Sequence, residues 1–503
     1  MPSSRFTLPM GTEARWQQFE RLIQSNYTKF FDSVGPIVGA RAPGRLDVIG
    51  GVADYSGSFV LEMPISEAAY VAIQWRQDQT LRILSRGIEA EGFEPLVEIP
   101  LDVMVNADGS IRSTEEVRLA LTQDSRTRWA SYIAGCFYIM LQAYGKVSQG
   151  KVDTRLGTFG ANILLESDVP LGAGVSSSAA IEVATMHALS EAAGIHPSDL
   201  TLAAWCQKAE NLIVGAPCGI MDQVTSALGA EGTLLALRCQ PHDLMGNCVI
   251  PRGWRFVGID SRVKHSVGGS AYTKARVGAF MGLKILQLET GKLLDNYLCN
   301  MKPEGFMHYR ESIPSVITGK EYTELYGYLP DTVTSVVPEE VYYPRSCAEH
   351  PVLENVRVLQ FIALMRIAEV RQQETESQDL EAGILEQIGQ LMYEAHVSYS
   401  DRIGLGSEET DLLVDLIRER GKDRHLYGAK ITGGGSGGTV AVLCQNSLEA
   451  ELAIEEVCVE YAQVTGVEPR LFLGSSPGTL SFGTRYIERG GEAPTQSGVD
   501  LVY

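Results

Sequence analysis

The 503-residue chain is long enough for two to four domains, with a large buried core in at least one of them. Its content of 45% apolar and 21% charged residues is typical of a soluble globular protein. A formal net charge of −20 argues against nucleic acid and anionic membranes as partners, although an acidic exterior can still surround a local phosphate site.

The nine cysteines are odd in number and contain no C-x-x-C, which argues against a disulfide framework or a cysteine zinc knuckle. We expect reduced thiols that mostly fill core space. The first twenty residues lack the charged-then-apolar layout of a signal peptide. The longest nearly uncharged apolar stretch, residues 129–145, is short for a membrane span. A cytoplasmic location is therefore predicted.

Two segments near the N-terminus have clear patterns. Residues 12–33 predict an amphipathic helix that ends near Gly35-Pro36. The following GPIVGARAPGRLDVIGGVADYSGSFVLEMPI predicts two strands around a loop. Isolated charges in such an apolar, glycine-dense segment favour a functional loop over a solvated turn. The charged residues of this loop are Arg41, Arg45, Asp47 and Asp54.

A helix predicted from Arg128 to Tyr144 places two aromatic residues on one face. Trp129 and Tyr132 are three positions apart, so their side chains are neighbours on a helix. Most such pairs belong to a core. The alternative is an aromatic wall for a nucleotide base.

The stretch ESDVPLGAGVSSSAAIEVATMHAL, residues 166–189, predicts a strand, a glycine loop and a helix. Gly172 and Gly174 would let backbone amides approach an oligophosphate, and the positive end of the helix would favour the anion. The hydroxyls of Ser176, Ser177 and Ser178 can cap the helix, bind phosphate oxygens or ligate magnesium. No G-x-x-x-x-G-K-[ST] occurs, so a conventional P-loop is excluded.

Two carboxylates follow on predicted helices. Glu210 lies on a helix predicted for residues 202–214. A Gly-Ala-Pro-Cys-Gly turn then leads to a helix that begins near Met221, with Asp222 in its first turn. The helix dipole stabilises a carboxylate there, which suits an N-terminal cap, a proton acceptor or an orienting anion.

The C-terminal half begins with a strand, a glycine turn and a helix bearing Tyr272, over residues 255–282. Residues 290–352 have weak periodicity and suggest an insertion, and helices are predicted for 352–372, 380–399 and 412–420. The cluster GAKITGGGSGGTVAVLC contains G-x-G-x-x-G and G-x-S-x-G around Ser436. Because a β-like segment follows, a dinucleotide site and a hydrolase elbow are both disfavoured.

The motifs R-A-P-G-R-x-D, P-L-G-A-G-V-S-S-S-A and K-I-T-G-G-G-S-G-G occur in this order. Together they resemble the three motifs of the GHMP small-molecule kinases, which include the galactokinases. Within that superfamily the segments RAPGRLDVIGGVADYSGS, CGIMDQ, IDSRVKHSVGG and LYGAKITGGGSGGTV look most like the plant-type L-arabinokinases. The resemblance implies an α+β fold with a ribosomal-protein-like mixed-sheet domain, residues 1–255, and a ferredoxin-like domain, residues 256–503, with a possible insertion at 290–350. It implies that ATP, Mg²⁺ and a sugar meet between the two.

The resemblance also implies roles for individual residues. Asp222 matches the aspartate that contacts the anomeric hydroxyl of the sugar. Arg45 matches the arginine that lies beside this aspartate and the transferred phosphoryl group. Sugar contacts are implied for Gly51, Val52, Asp54, Cys218, Gly219 and Tyr272. Nucleotide contacts are implied for Trp129, Tyr132, Gly172, Gly174, Ser176, Ser177, Ser178, Gly434 and Gly435, and magnesium ligation for Ser178 and Glu210.

One departure from the galactokinase pattern bears on the substrate. Galactokinases carry Glu-His, facing the exocyclic hydroxymethyl group of galactose, where this chain has Gly51-Val52. L-Arabinopyranose lacks that group, and an unpaired buried polar side chain would cost about 1–3 kcal/mol. We therefore expect L-arabinose as the acceptor and β-L-arabinose 1-phosphate as the product. The alternatives are a galactokinase or galacturonokinase, and a non-catalytic sensor of sugar and ATP. The sequence does not indicate the oligomeric state.

Overall fold

The computed structural model describes residues 6–7, 9–32, 35–144, 156–263, 270–373 and 378–488. The first half contains α1 (Thr12–Asn26), β1 (Ile37–Ile49), β2 (Phe59–Trp75), β3 (Thr80–Ser85), β4 (Leu96–Pro100), α2 (Thr114–Thr122), α3 (Ser131–Tyr144), β5 (Ala161–Ser167), α4 (Ser177–Ala193), α5 (Asp199–Lys208), α6 (Met221–Leu228), β6 (Thr233–Arg238) and β7 (Asp243–Val249).

The second half contains β8 (Trp254–Asp260), α7 (Ser270–Thr290), α8 (Pro303–Tyr309), β9 (Ile317–Thr318), α9 (Gly319–Tyr326), β10 (Val341–Tyr342), α10 (Pro344–Gln373), α11 (Gln378–Val397), α12 (Glu408–Arg420), β11 (Leu426–Ile431), β12 (Thr439–Gln445), α13 (Leu448–Thr465), β13 (Arg470–Phe472), α14 (Thr479–Phe482) and β14 (Arg485–Ile487). The glycine turn predicted between β8 and α7 falls on residues 264–269, outside the described residues.

The first sheet has the strand order β14-β1-β2-β5-β3-β4, with β6 paired to β2 and β7 paired to β6. It is mixed, because β3 and β5 are parallel while the other pairs are antiparallel. Alternate residues of β2 pack on opposite faces, as the period of a strand requires. Val71 faces the core shared with α4, and Tyr70 faces α1. The predicted mixed sheet is confirmed.

The second sheet has the order β11-β12-β8-β13 and is antiparallel. Val257 on β8 packs with α12 and α13, whereas its neighbour Phe256 belongs to the core of the first sheet. The two sheets are therefore joined through an apolar layer. The domain boundary at residue 255 stays a prediction. β14, from the end of the chain, lies in the first sheet beside β1.

The segment between α7 and α10 corresponds to the predicted insertion. It contains α8, α9 and the two-stranded sheet of β9 and β10, and it packs on α7 and α10. We predicted a helix from residue 352, but α10 begins at Pro344 and continues through Pro351. Packing of α10 against α7 outweighs the local cost of an internal proline.

The predicted loop at Arg41, Arg45 and Asp47 is wrong, because all three residues lie within β1. The strand continues through Ala-Pro-Gly with a register shift between Pro43 and Arg45, which re-aims the side chains that follow. Arg41 is fully buried and donates hydrogen bonds to Ser476 Oγ and the Pro477 carbonyl. Pairing of this kind is what lets a strand bury charged residues. α1 ends at Asn26, earlier than predicted.

All nine cysteines lie in described parts of the chain and are free thiols, seven of them buried. None of the described helices combines the length and the apolar character that a membrane crossing requires.

Candidate active site

Residues of the first motif on β1, of the two glycine loops and of the start of α6 line one cavity of about 330 Å³. Its lining includes most of the residues that the sequence had singled out: Arg45, Val52, Asp54, Gly172, Gly174, Ser176, Ser177, Ser178, Glu210, Cys218, Gly219, Asp222, Tyr272, Gly434 and Gly435. Ala216, Pro217, Met221, Ala271, Gly433, Ser436 and Gly437 complete it.

The first motif contacts the second through the backbone. A Cβ on Gly44 would lie 2.5 Å from the Val175 carbonyl oxygen, so only glycine permits this approach. The Arg45 amide donates to the same oxygen at 3.1 Å. Arg45 Nη1 donates to the Gly174 carbonyl at 2.8 Å. These contacts place the arginine beside the glycine loop.

The third motif also lies against the second. A Cβ on Gly433 would lie 2.6 Å from the Gly174 carbonyl oxygen. Thr439 Oγ1 donates to the Ala173 carbonyl at 2.7 Å. Gly174 and Gly433 both have positive φ, 73° and 71°, which glycine adopts without strain. The two glycine loops therefore form adjoining walls of the cavity.

Ser176 precedes α4 in a left-handed conformation, with φ of 58°. Its hydroxyl does not cap the helix and instead donates to Asp222 Oδ2 at 2.5 Å. Ser177 and Ser178 open the helix and line the cavity. The N-terminal amides of α4 thus have no side-chain cap, and such a helix start favours an anion.

Asp222, the second residue of α6, forms an ion pair with Arg45. Arg45 Nη2 lies 2.7 Å from Asp222 Oδ1, and Arg45 Nε lies 3.1 Å from Glu62 Oε2. Burial alone would lower the pKa of Arg45, but the two carboxylates raise it above its ordinary value. Arg45 is therefore a fixed cation. Glu62 was not predicted as a site residue, because its only signal in the sequence is an acidic residue inside the apolar run FVLEMPI.

Asp54 begins the single helical turn Asp54–Ser56 and is almost fully buried. Burial and the nearby Asp222 raise the pKa of Asp54 to about 6. A Cβ on Gly219 would overlap the Asp54 carboxylate, so glycine is required where this loop passes. Tyr272 lines the same end of the cavity and meets Tyr55 edge to face, with 6.2 Å between ring centres.

Glu210 lies in a π-helical turn, Ala209–Val214, that continues α5. Such turns occur frequently at functional sites. Burial raises the pKa of Glu210 to about 7, although a hydrogen bond with Ser178 opposes the shift. Gln223 Nε2 donates to Glu210 Oε2 at 2.6 Å.

The pair Ser178 and Glu210 fits a magnesium ion. A buried carboxyl of raised pKa is stabilised in its charged form by a cation, and Mg²⁺ in phosphate sites takes one or two protein oxygens together with phosphates and water. Within the described residues, no group of three or more His, Cys, Asp and Glu side chains forms a metal cluster.

Gly51 does not line the cavity. A Cβ there would overlap Asp47 Oδ2 and the Tyr399 hydroxyl. The side of Gly51 that lacks a side chain therefore packs directly against this buried pair. Val52 does line the cavity and is held at φ of 54°, a strained conformation for a β-branched residue. His350 Nε2 lies 3.1 Å from the Gly51 carbonyl oxygen and helps to fix this loop.

The structure does not bring Trp129 or Tyr132 to the cavity wall. Trp129 belongs to the main core, and its Nε1 donates to the Glu94 carbonyl at 2.9 Å. Tyr132 packs beside the same core, where burial and Glu210 raise its pKa. The core interpretation of this pair therefore agrees with the geometry better than an aromatic wall for a base.

Three protein-family models match parts of this chain. Residues 131–230 match the GHMP kinases N terminal domain, residues 25–75 the galactokinase galactose-binding signature, and residues 377–463 the GHMP kinases C terminal domain. The chain is 39% identical to an L-arabinokinase of Arabidopsis thaliana over 90% of its own length and 47% of that relative's length. The chain thus spans about half of that relative. It is 31% identical to a galactokinase of Chloroflexus aurantiacus, covering 82% of this chain and 86% of that protein.

Solved structures show the same fold. The match to the Lactococcus lactis galactokinase complexed with galactose has a TM-score of 0.68 at 19% sequence identity. It covers 92% of this chain and 99% of the galactokinase chain. A Methanococcus jannaschii mevalonate kinase has a TM-score of 0.52 at 14% identity, over 88% of this chain and 99% of its own. The two-domain α+β fold is confirmed. The chain therefore belongs to the GHMP kinases, within the group of sugar kinases that contains the galactokinases and L-arabinokinase.

Proposed function

We propose that this protein transfers the γ-phosphoryl group of ATP to the anomeric hydroxyl of L-arabinose, giving β-L-arabinose 1-phosphate and ADP. The observation that carries the choice of sugar is Val52, an apolar side chain on the cavity wall two residues before Asp54. Galactokinases have a polar side chain at that position, by the resemblance described above. Support also comes from the similarity to the Arabidopsis L-arabinokinase.

Val52, rather than Gly51, is the residue that favours the pentose. Gly51 admits the buried contact between Asp47 and Tyr399 and has no open face toward the cavity. Val52 would cover the fifth ring carbon of L-arabinose, which carries no hydroxymethyl group. Asp54, Tyr272 and the Cys218-Gly219 backbone surround the remaining space at this end and would contact the ring hydroxyls.

The triphosphate would lie along the amides of Gly172–Ser178 and of the Gly433–Gly437 loop, where backbone donors and a helix start converge. Ser178 and Glu210 would hold Mg²⁺, which supplies charge neutralisation for the phosphates when bound. The catalytic work of the protein is then positioning and electrostatic stabilisation.

Asp222 would accept a hydrogen bond from the anomeric hydroxyl, whose oxygen attacks the γ-phosphorus while the bond to the ADP oxygen breaks. The hydroxyl proton passes toward the Asp222 carboxylate as the new bond forms. Arg45 donates to Asp222 Oδ1 and Ser176 donates to Oδ2, so the carboxylate is held in one orientation. Asp222 therefore orients the nucleophile and takes its proton as the bond to phosphorus forms, and Arg45 also offsets charge on the transferred group.

Initial rates on L-arabinose, D-galactose and D-galacturonate test the assignment. We expect the highest kcat/KM on L-arabinose, with galactose disfavoured by no more than about 100-fold because an apolar pocket rejects an added hydroxyl weakly. A higher kcat/KM on galactose would reject the arabinose assignment. An ADP-release assay separates any of these kinases from a non-catalytic sensor.

Val52→Asn tests the residue itself, because asparagine tolerates the left-handed conformation and offers a polar group. We expect kcat/KM on galactose relative to L-arabinose to rise about 10-fold, the value of one added hydrogen bond. Val52→Ala, which stays apolar, is the matched control and should leave the ratio unchanged. An equal ratio in both variants would mean that Val52 does not face the fifth ring carbon.

A further inference from the structure

The segment between α7 and α10 supplies a buried acidic residue close to the sugar end of the cavity. We propose that Asp331 of this segment and Arg276 of α7 form a clamp that positions the two walls of the sugar site. This inference rests on the proposed function only in placing a sugar beside Asp54 and the Cys218-Gly219 backbone. Neither residue is assigned to contact substrate, so both are positioning residues.

The ion pair has two parallel contacts. Arg276 Nε lies 2.8 Å from Asp331 Oδ2, and Nη2 lies 2.9 Å from Oδ1. The side chains are only 6% and 3% exposed, so the pair is shielded from solvent and from salt. Asp331 also accepts hydrogen bonds from the Val333 amide at 3.1 Å and from Thr334 Oγ1 at 2.6 Å. Its carboxylate is thus fully engaged and fixed.

The opposite side of Arg276 reaches both walls of the sugar site. Its guanidinium carbon lies 5.1 Å from the ring centre of Tyr55, the residue that follows Asp54. Its Nη1 lies 3.5 Å from the Pro217 carbonyl oxygen and 3.4 Å from that of Cys218. Pro217 and Cys218 line the cavity immediately before Gly219. One guanidinium therefore connects the Asp54 turn to the loop that leads into α6.

The same segment covers the outer side of the Asp54 turn. The Tyr297 ring lies 2.7 Å from the position that a Cβ on Gly57 would occupy. Leu298 and Met301 share a buried apolar cluster with Val52 and Tyr55. A shift of the segment would therefore move the residues proposed to bind the sugar.

Loss of the Asp331 charge has a specific expected consequence. Arg276 would stay buried without its partner, and a buried unpaired charge must find another carboxylate or water. The Asp54 carboxylate already senses Arg276 electrostatically. Reorientation of the guanidinium toward Asp54 would distort the sugar site and compete with the ring hydroxyls for the carboxylate.

The test is steady-state kinetics of Asp331→Asn, which keeps the shape and removes the charge. It uses whichever sugar gives the wild-type protein its highest kcat/KM. We expect the KM for sugar to rise about 10- to 100-fold, as misplacement of positioning groups does, and the KM for ATP to change by less than about 2-fold. Arg276→Lys keeps the positive charge but cannot make two parallel hydrogen bonds to one carboxylate. The KM for sugar should again rise while the KM for ATP stays nearly constant, and the rise should be smaller.

Glu340→Gln is the matched control. Glu340 pairs with Lys274, so it also joins the segment to α7, but both side chains are 39% exposed and neither lines the cavity. Its two KM values should equal those of the wild type.

An unchanged sugar KM in Asp331→Asn, or equal rises in the KM for sugar and for ATP, would overturn the clamp. Failure of both Asp331→Asn and Arg276→Lys to fold would overturn it as well, in favour of a purely structural pair. If the arabinose assignment is wrong, the wild-type protein will have its highest kcat/KM on another sugar. The test of the clamp does not depend on that ranking, because it compares the KM values of variant and wild type on the same sugar.

Discussion

The two carboxylate oxygens of Asp222 have different partners. Oδ1 is bound by Arg45, and Oδ2 accepts the Ser176 hydroxyl at 2.5 Å. The side chain is 20% exposed and faces the cavity, so a sugar hydroxyl can approach it. This geometry supports an orienting role, because the arginine and the serine hold the carboxylate in one position beside the cavity.

Asp222→Ala is expected to lower kcat by about 10²- to 10⁴-fold, the range typical of a positioned acid or base, while sugar binding stays within a few fold. Turnover under saturating sugar and ATP gives kcat, and calorimetric titration with sugar gives Kd. Ser176→Ala removes the hydroxyl that donates to Oδ2, and it should lower kcat much less than Asp222→Ala does. A kcat of Asp222→Ala close to the wild-type value would remove Asp222 from the mechanism.

Asp54 predicts a pH dependence. Burial and Asp222 raise its pKa to about 6, so it gains a proton as the pH falls through that value. Protonation removes the acceptor that the ring hydroxyls would use, so kcat/KM for sugar should be level near neutral pH and fall about tenfold per unit below the pKa. The effect on stability has the opposite sign, because ionising a carboxyl of raised pKa costs folding free energy as the pH rises.

The measurement is a pH profile of kcat/KM for sugar at saturating ATP. Asp54→Asn, which has no proton to gain, should have low activity without that acidic limb. A wild-type profile that stays level down to about pH 5 would show that Asp54 is not the acceptor, since the limb follows its free-enzyme pKa.

At the scale of an element, the turn between β1 and β2 depends on Gly51. A Cβ at this position would overlap Asp47 Oδ2 and the Tyr399 hydroxyl, and both of those side chains are fully buried. Gly51→Ala should therefore lower the free energy of unfolding by about 1–3 kcal/mol, the usual cost of overpacking. Urea denaturation measures it.

Gly383 on α11 is the control, since a Cβ there meets nothing within 4 Å. Gly383→Ala should raise the free energy of unfolding by about 0.5–1 kcal/mol, because alanine is the better helix former. Tyr399→Phe removes one of the overlapping atoms and should recover part of the loss in Gly51→Ala. If Gly51→Ala and Gly383→Ala lowered the free energy of unfolding equally, the overlap with Asp47 and Tyr399 would not be the cause.

At the scale of the whole molecule, a buried ion pair joins the two sheets. Lys430 Nζ on β11 lies 2.7 Å from Asp47 Oδ2 on β1, and both side chains are fully buried. Tyr399 donates to the Gly433 carbonyl at 2.9 Å beside this pair. The pair therefore lies directly behind the third glycine loop and fixes it relative to the first motif.

Lys430→Met leaves the buried Asp47 carboxylate without its cation and should cost about 3–5 kcal/mol of unfolding free energy, whereas the double variant Asp47→Leu/Lys430→Met should recover most of it. Urea denaturation of the single and double variants tests this, with Glu456→Gln as control. Glu456 pairs with Arg424 at 2.9 Å on the surface, where the loss should stay within about 1 kcal/mol. Equal losses in the single and double variants would show that the pair itself is not what holds the sheets.

The sequence determined much of this protein because much of the information is local. Glycine and serine spacing placed the loop before α4, and apolar periodicity placed α4, α6 and α12 within a few residues of their observed bounds. Ser178, Glu210 and Asp222 could be identified from their positions on predicted helices together with the family resemblance. All three line the cavity.

The tertiary structure decided what depends on contacts between distant residues. The burial of Arg41, the ion pair of Asp331 with Arg276 and the position of Trp129 in the core all join parts of the chain far apart in sequence. Gly51 was predicted to meet the sugar, yet its neighbours are Asp47 and Tyr399. Propensity and spacing describe how a segment behaves alone, whereas the partner of a buried group is fixed only when the sheets and helices pack together.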